Sequence, residues 1–443
     1  MQTLSGAASP PDSTPAGNTG HAEQKSLRKI VLASVAGNAL EWYDFFLYST
    51  AAALVFGQLF FPKGTDPLVG TLGAFAGFAV GFAARPLGGV VFGHIGDRFG
   101  RKGALVWTLS IMGGATFLIG ALPTYAQVGV WAPALLLALR ILQGIAAGGE
   151  WGGGVLMISE SAPPEKRGFY ASLSQIGVGG GFVLSAAIFF IVQMLPKDAF
   201  MSWGWRVPFL LSILIFSVGV YIRSKLPEST EFANAQETGK YTHRPVLDVI
   251  RKHPREILVA MGLRVAENGG SYIMLAFALA YGKFIGVSSQ VMLAGVMVSM
   301  SVELFTMLLW GRLSDRIGRR PVYLIGALGL IAIAFPFFWL IDTKVPALVW
   351  LAFLLGNAVC HGAMIGTQPS LMGELFSTEV RYSGMALGHE VASVFAGGLA
   401  PLLATALLAH YHAAWPVALL MMAMGLITVI ALVFTRETIA SRA

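Results

Sequence analysis

The sequence GHIGDRFGRK at residues 93–102 returns as GRLSDRIGRR at residues 311–320, so the two stretches lie 218 positions apart. A second pattern repeats at a spacing of 214 positions, with Glu160, Glu165 and Arg167 matched by Glu374, Glu379 and Arg381. Two independent repeats at nearly the same spacing indicate a chain built from two related halves. Duplicated halves that hold a substrate between them near the middle of the bilayer are typical of secondary transporters.

Each repeated ten-residue stretch follows a long apolar run and carries Gly, Asp and Arg at fixed positions. Gly permits a tight turn, and Asp can cap a helix N-terminus or pair with an Arg from a neighbouring helix end. A loop that only kept basic residues on one side of a membrane would explain the Arg residues but not the spaced Gly and Asp. We therefore predict a gating role for six positions, which are Asp97, Arg98, Arg101, Asp315, Arg316 and Arg319.

The composition around these repeats is strongly apolar. Of the 443 residues, 55% are hydrophobic and 12% are charged, against roughly 25% charged in soluble domains, which excludes a soluble globular enzyme. Unbroken apolar runs take the place of the alternating pattern of an outer-membrane barrel. The single cysteine, Cys360, excludes an intrachain disulfide and a Cys-rich metal site. We expect no cofactor, no metal and no nucleic-acid partner.

The apolar runs predict twelve membrane-spanning helices and thus an all-α polytopic membrane protein made of two pseudo-symmetric six-helix bundles. The predicted helices are 29–57, 69–95, 103–122, 130–159, 168–194, 205–223, 256–285, 288–311, 321–341, 345–373, 382–408 and 412–434. The predicted organisation is a disordered tail at 1–24, an N-terminal bundle at 25–223, a linker at 224–255, a C-terminal bundle at 256–436 and a short tail at 437–443.

The distribution of basic residues predicts the orientation. With both termini in the cytoplasm, 22 of the 30 Lys and Arg residues fall on the inner side. Only five fall outside, namely Lys63, Lys197, Arg206, Lys283 and Lys344. Cytoplasmic segments are the ones that carry an excess of Lys and Arg. We therefore predict a multi-pass protein of a bacterial-type inner membrane with both termini inside.

Charged side chains inside the helices are candidates for function, because inserting one costs roughly 2.5 to 3.5 kcal/mol. On helix seven, polar residues recur at intervals of three and four residues from Arg264 to Tyr272, which places them on one face. Helices one, four and ten carry similar stripes, so we expect a shared water-filled cavity. We assign substrate binding to Arg85, Arg264, Glu267, Asn268, Tyr272, His361 and Gln368.

Several of these residues have a second interpretation. The Arg85 guanidinium matches a substrate carboxylate, but it could equally lock the two halves together through Glu390. His361 and His389 could carry protons or act as hydrogen-bonded structural groups. Glu303 precedes Asp315 by 12 residues, as Arg85 precedes Asp97, so one scaffold position carries opposite charges in the two halves.

The chain resembles the major facilitator superfamily, whose hallmark is the repeated G-x-x-x-D-R-x-G-R-[RK] stretch. More closely, it resembles the metabolite:H+ symporter family, whose members transport shikimate, 2-oxoglutarate, citrate, and proline or betaine. The residues that carry this resemblance are Glu41 to Phe45, Arg85 to Gly89, Gly148 to Gly153 and Trp203 to Phe209. The shikimate branch is the most similar, since it shares the Arg264-x-x-Glu267 spacing and a His at position 361.

The resemblance implies a monomeric transporter that imports a small polar metabolite with a proton by alternating access. It places an acid on helix one beside an arginine on helix four, which assigns proton coupling to Asp44, Glu41 and Arg140. For Asp44 and Arg140 the alternative is a purely structural ion pair. We expect a carboxylate substrate, and the alternatives are a zwitterionic osmolyte, a drug/H+ antiport or a transport-like receptor. An enzyme is not expected, because no nucleophile with an adjacent base appears.

Overall fold

The computed structural model describes residues 35–99, 101–148, 164–225, 250–376 and 381–435. Within these ranges the chain forms twelve long helices and no strand. In chain order they are α1 (35–59), α2 (Pro67–Phe99), α3 (Arg101–Ala121), α4 (Trp131–Ala147), α5 (Arg167–Val192), α6 (Val207–Lys225), α7 (254–285), α8 (Ser289–Ile317), α9 (Arg319–Asp342), α10 (Pro346–Leu375), α11 (381–411) and α12 (Trp415–Val433).

These helices confirm the predicted all-α membrane fold. Eight spans in the described part of the chain are long and apolar enough to cross a bilayer, and Val106–Ala121 and Trp131–Ala147 are shorter apolar helices. Most predicted bounds agree with the observed ones to within a few residues, although α8 continues to Ile317 and α4 ends at Ala147. The predicted start of the first helix at 29 and the predicted end of the fourth at 159 lie outside the described residues. The division into domains stays a prediction, because both predicted tails and most of the linker lie outside the described residues.

The repeated stretch is mostly helix rather than loop, which corrects the sequence prediction. α2 continues to Phe99 and α8 continues to Ile317, and in the second copy a single residue separates α8 from α9, which begins at Arg319. In the second copy this residue is Gly318, whose φ of 112° lies in the region that only glycine adopts without strain. The glycine near the end of the motif therefore makes the turn.

Several helices contain π-helical segments. They occur in α1 (Ala52–Phe56), in α7 (Val265–Gly269 and Ile273–Phe277), in α10 (Leu354–His361) and in α11 (Ser393–Gly398). Wider turns of this kind frequently mark functional sites, because they redirect side chains relative to a regular helix. Glu267, Asn268 and His361 all lie in these segments.

Glycines let α2 and α4 approach closely in the N-terminal half. A Cβ on Gly144 would overlap the carbonyl group of Gly81, and a Cβ on Gly88 would overlap the carbonyl of Ile145. Small residues at such crossings allow two helix backbones to pack in direct contact. This crossing fixes the positions of Arg85 on α2 and of Arg140 on α4, and both of these side chains are completely buried.

We expect Gly144→Ala to destabilise the protein, because the new methyl group must displace the α2 backbone. Overpacking of this kind typically costs about 1–3 kcal/mol. Gly114→Ala on α3 is the matched control, since a Cβ there meets no atom within 4 Å. Thermal unfolding of the purified variants in detergent measures the difference. Equal midpoints for the two variants would show that the crossing is looser than the structure indicates.

Candidate functional site

A closed cavity lies between the two halves of the chain. α1 and α5 line it from one half, and α7, α10 and α11 line it from the other. Its free volume of about 10 Å³ is roughly what one water molecule requires. The lining residues are at most 5% exposed, so the cavity is closed toward both sides of the membrane. They are Trp42, Phe46, Gln175, Val178, Phe182, Arg264, Glu267, Asn268, Ser271, His361, Ile365 and His389.

One wall of the cavity is aromatic. The rings of Trp42 and Phe46 stack with centroids 5.6 Å apart, and the ring of Tyr272 lies 5.8 Å from that of Phe46. Within the described residues the indole nitrogen of Trp42, the amide oxygen of Asn268 and the hydroxyl of Tyr272 are buried without a hydrogen-bond partner. Buried polar groups are normally paired. A hydroxylated ligand in the cavity would supply the partners that Trp42 and Asn268 lack.

A polar network forms the opposite wall. Arg264 donates from Nη1 to Glu267 Oε2 at 2.8 Å and to Gln368 Oε1 at 2.9 Å, and from Nε to Ser393 Oγ at 3.1 Å. The amide nitrogen of Gln368 also reaches Glu267 Oε2 at 2.9 Å and the Tyr323 hydroxyl at 3.1 Å. The structure thus brings together three of the predicted substrate residues, although Gln368 itself does not line the cavity.

His361 lies between two buried carboxylates. Its Nε2 is 3.4 Å from Glu267 Oε1, and its Nδ1 contacts Glu303 Oε1. The repeat spacing singles out Glu303 as the counterpart of Arg85, but nothing in the sequence shows that His361 joins it to the cavity. This arrangement leaves both interpretations of His361 open, since a histidine held by two acids can be a structural group or a proton carrier.

The fully buried Arg85 side chain bridges the two halves. Its Nη2 lies 2.9 Å from Glu41 Oε1, and its Nε lies 2.7 Å from Glu390 Oε2 on α11. The guanidinium carbon also lies 4.9 Å from the centre of the Phe45 ring. In this closed conformation Arg85 forms the predicted lock with Glu390 and does not line the cavity. Its assignment to substrate binding therefore requires that the lock open first.

Asp44 and Arg140 are neighbours, but among the described side chains they form no direct ion pair. Gln143 lies between them, since it accepts from Arg140 Nη1 at 3.2 Å and donates to Asp44 Oδ1 at 2.9 Å. Thr116 also donates to Asp44. The Arg140 guanidinium instead lies 4.4 Å from the centre of the Tyr48 ring. The simple ion pair considered from sequence is therefore wrong for this conformation, because an amide one turn along α4 separates the two charges.

The second copy of the repeated stretch connects the halves at one end of the bundle. Asp315 accepts from the backbone N–H groups of Gly168 and Phe169 at 2.9 and 3.0 Å, and it lies 2.8 Å from Arg319 Nη2. An anion at a helix N-terminus is favoured by the helix dipole, so Asp315 holds α5 of the other half. Arg316 is exposed. The side chains of Asp97, Arg98 and Arg101 lie outside the described part of the structure.

The other end of the bundle is also joined across the halves. Lys283 at the end of α7 donates from Nζ to the backbone carbonyl of Leu54 at 2.9 Å. Leu54 lies in the π-helical segment of α1. A closed cavity with a connection between the halves on each side is the arrangement expected of a transporter between its two open states.

Sequence reasoning missed some residues of the site. Gln175 on α5 lines the cavity, and Ser393 and Thr116 complete the networks around Arg264 and Asp44. Gln175 could have been found, because an amide in the middle of an apolar helix is itself a signal. Ser393 and Thr116 could not have been found in this way. Ser and Thr occur throughout membrane helices, where the hydroxyl can donate a hydrogen bond to a backbone carbonyl of the preceding turn.

Residues 34–393 match the Major Facilitator Superfamily. The chain is 42% identical over 396 residues to the shikimate transporter of Escherichia coli (strain K12), covering 88% of this chain and 89% of the relative. It is 37% identical over 395 residues to the proline/betaine transporter of Salmonella typhimurium (strain LT2), covering 85% and 77%.

Sugar transporters are among the solved structures that resemble this fold. A crystal structure of a D-xylose-proton symporter superposes with a TM-score of 0.71 at 20% identity, over 92% of this chain and 98% of that chain. The xylose transporter of E. coli in a partially occluded, inward-open conformation gives a TM-score of 0.72 at 17% identity, over 93% and 98%. At these identities the likeness shows the shared fold alone.

We expect Glu390→Gln to open the closed cavity more often, because the variant removes one charge from the Arg85 bridge. Each ~1.4 kcal/mol lost from the closed state changes the ratio of closed to open molecules about tenfold. A single cysteine at a cavity position, Ile365→Cys in a Cys360→Ser background, reports opening through its rate of maleimide labelling.

The matched control is Glu256→Gln. The side chain of Glu256 is 37% exposed, and its carboxylate lies 3.8 Å from the ring nitrogen of His253. We expect unchanged labelling in this control. If Glu390→Gln labels no faster than the control, the Arg85 bridge does not hold the halves closed.

Proposed function

This chain belongs to the Major Facilitator Superfamily, and on that premise we propose that it imports a small carboxylate across the inner membrane by proton symport. It is a transporter of a small metabolite and not an enzyme. The observation that carries the proposal is the closed cavity, because charged and aromatic side chains from both halves converge there. A space that both halves close around is where alternating access requires the substrate to bind.

The chemistry of the cavity supports a hydroxylated acid. Arg264 is the permanently charged cation among the lining residues, and its guanidinium offers planar donors that match a carboxylate. Trp42 and Asn268 provide a donor and an acceptor for substrate hydroxyls, and the Trp42 and Phe46 rings provide an apolar face. A small ring that carries a carboxylate and hydroxyls, as in shikimate, matches these groups in chemistry. The cavity must widen from its volume of about 10 Å³ in the closed conformation to admit such a ring. A relative at 42% identity is named for that substrate.

The second candidate is a zwitterion such as betaine or proline. The observation that favours it is the pairing of Arg264 with Glu267, which places both signs of charge at the cavity wall. A quaternary ammonium could also lie against the aromatic wall, since cations are attracted to ring faces. Relatives at 37% identity are named for proline and betaine.

The proposed cycle is alternating access with the proton as the coupling ion and no other cofactor. Asp44, which is completely buried next to Gln143 and Thr116, accepts a proton from the outside. Neutralising this acid lowers the cost of enclosing it when the halves close. The bridge at Arg85 and the contact at Asp315 then break and re-form as the cavity opens to the inside. We propose that the protein works as a monomer with both termini in the cytoplasm.

We expect purely anionic acids to be better substrates than zwitterions. In reconstituted proteoliposomes, unlabelled shikimate should drive counter-flow of labelled shikimate, and betaine or proline should not compete. Counter-flow itself separates a transporter from a transport-like receptor, because a receptor exchanges no substrate. Saturable transport of betaine or proline, with none of shikimate or dicarboxylates, would instead establish the zwitterion candidate.

We expect Asp44→Asn to keep counter-flow but to lose uphill uptake driven by a pH gradient. Exchange needs no change in protonation, whereas accumulation does. Glu256→Gln should keep both activities, since this exposed acid lies at the start of α7. An Asp44→Asn protein that still concentrates shikimate under a proton gradient would remove Asp44 from the coupling mechanism.

A further inference from the structure

Three ionisable side chains in the C-terminal half form a row that begins at the cavity and ends at a fully buried acid. Glu267 and His361 line the cavity, and Glu303 on α8 lies behind them in contact with His361 Nδ1. Glu303 is 0% exposed. Its Oε2 has no hydrogen-bond partner among the described residues. The proposed mechanism through Asp44 does not use any of these three groups.

Among the described residues around this row, Arg264 is the one that carries a permanent positive charge. From α7, Arg264 pairs with Glu267 at 2.8 Å. From α9 and α10, the Tyr323 hydroxyl and the Gln368 amide contribute neutral groups. From α11, His389 lies at the cavity but is paired through Nδ1 with Glu390, which is itself held by Arg85. From α5, the polar lining residue is Gln175, which is neutral.

The charge balance of the row changes when an anionic substrate arrives. With both glutamates ionised, a protonated His361 and Arg264 together give a net charge of zero. A substrate carboxylate would add one negative charge in a closed space, where uncompensated charge is costly. One additional proton on Glu303 restores neutrality. The orphaned Oε2 is consistent with this, because a buried ionised carboxylate normally has partners on both oxygens.

We propose that the Glu303–His361–Glu267 row is a second proton site, which binds the symported proton next to the substrate. This inference rests on the proposed proton symport and adds a site in the half of the chain that does not contain Asp44. A proton from water forms an O–H bond on a Glu303 carboxylate oxygen when substrate enters. The same proton returns to water on the other side of the membrane after substrate leaves, and no electrons are transferred.

The repeat position that Glu303 occupies has a different role in each half. Glu303 and Arg85 occupy equivalent positions of the repeat, 12 residues before Asp315 and Asp97. In the N-terminal half, Arg85 bridges to Glu390 of the other half. In the C-terminal half, Glu303 contacts His361 of its own half. The repeat position is therefore used for closure in one half and, in this proposal, for the proton in the other.

Infrared difference spectroscopy of the purified protein across a pH series, with and without shikimate, tests for the proton itself and not for transport. A protonated carboxylic acid has a carbonyl stretch that an ionised carboxylate lacks. We expect a titrating band of this kind that disappears in Glu303→Gln, shifts in Glu303→Asp and persists in Asp44→Asn and in the exposed control Glu256→Gln. A spectrum of Glu303→Gln identical to that of the unmodified protein would overturn the proposal.

Transport of shikimate by the same variants tests whether this proton is coupled to the substrate. We expect Glu303→Gln to keep counter-flow and to lose accumulation, so that internal shikimate falls to the level reached without a pH gradient. Glu303→Asp should restore part of the accumulation. A Glu303→Gln protein that loses the infrared band but still accumulates shikimate would also overturn the proposal, because its proton would not be the coupled one.

Failure of the proposed function has a different signature. If the unmodified protein exchanges shikimate but never accumulates it under a pH gradient, proton symport is wrong, and with it the coupling role of the row. If the unmodified protein accumulates shikimate and only Asp44→Asn abolishes this, symport is correct and the second proton site is wrong.

Discussion

A charged side chain that lies within a bilayer must find its partner inside the protein, and Arg85 shows the consequence of this constraint. Its guanidinium is completely buried, with Glu41 of its own half at 2.9 Å and Glu390 of the other half at 2.7 Å. Leaving such a charge unpaired is costly, so the bridge favours the closed state. Because Glu41 remains a partner when the halves separate, Arg85 can release Glu390 without becoming isolated.

The same constraint organises the rest of the site. Arg264 is held by Glu267, Gln368 and Ser393, and His361 is held between Glu267 and Glu303. Within the described residues, three polar contacts cross between the halves, and each can break during transport: Glu390 with Arg85, Asp315 with the start of α5, and Lys283 with Leu54. The networks that remain within a half keep the charges neutralised while these contacts exchange.

Much of the fold could be predicted from the sequence, because two physical signals are strong. Apolar runs long enough to cross a bilayer predicted the helices, and the repeat ending in GDRFGRK and SDRIGRR revealed the two halves. The helical spacing from Arg264 to Tyr272 correctly placed Glu267 and Asn268 at one cavity with Arg264. The sequence predicted that a glycine of the repeated stretch makes a tight turn, as Gly318 does, but the residues before and after it are helical and not a loop.

The remaining features depend on contacts between helices that a single sequence does not encode visibly. Gln143 separates Asp44 from Arg140 because of how α1 and α4 pack. The π-helical turns that bring His361 to Glu303 have no recognisable signal in the amino-acid sequence. The choice between the two interpretations of Arg85 also required the position of α11 relative to α2. In its closed state the structure shows the lock with Glu390.

The central claim is that substrate and proton occupy this cavity together and move together. The most direct measurement tracks the external pH of lightly buffered proteoliposomes when shikimate is added outside. The account predicts that the medium becomes more alkaline as shikimate enters, with proton uptake in fixed proportion to substrate uptake. Entry of shikimate at constant external pH would contradict it, because the cavity would then carry the substrate without the proton.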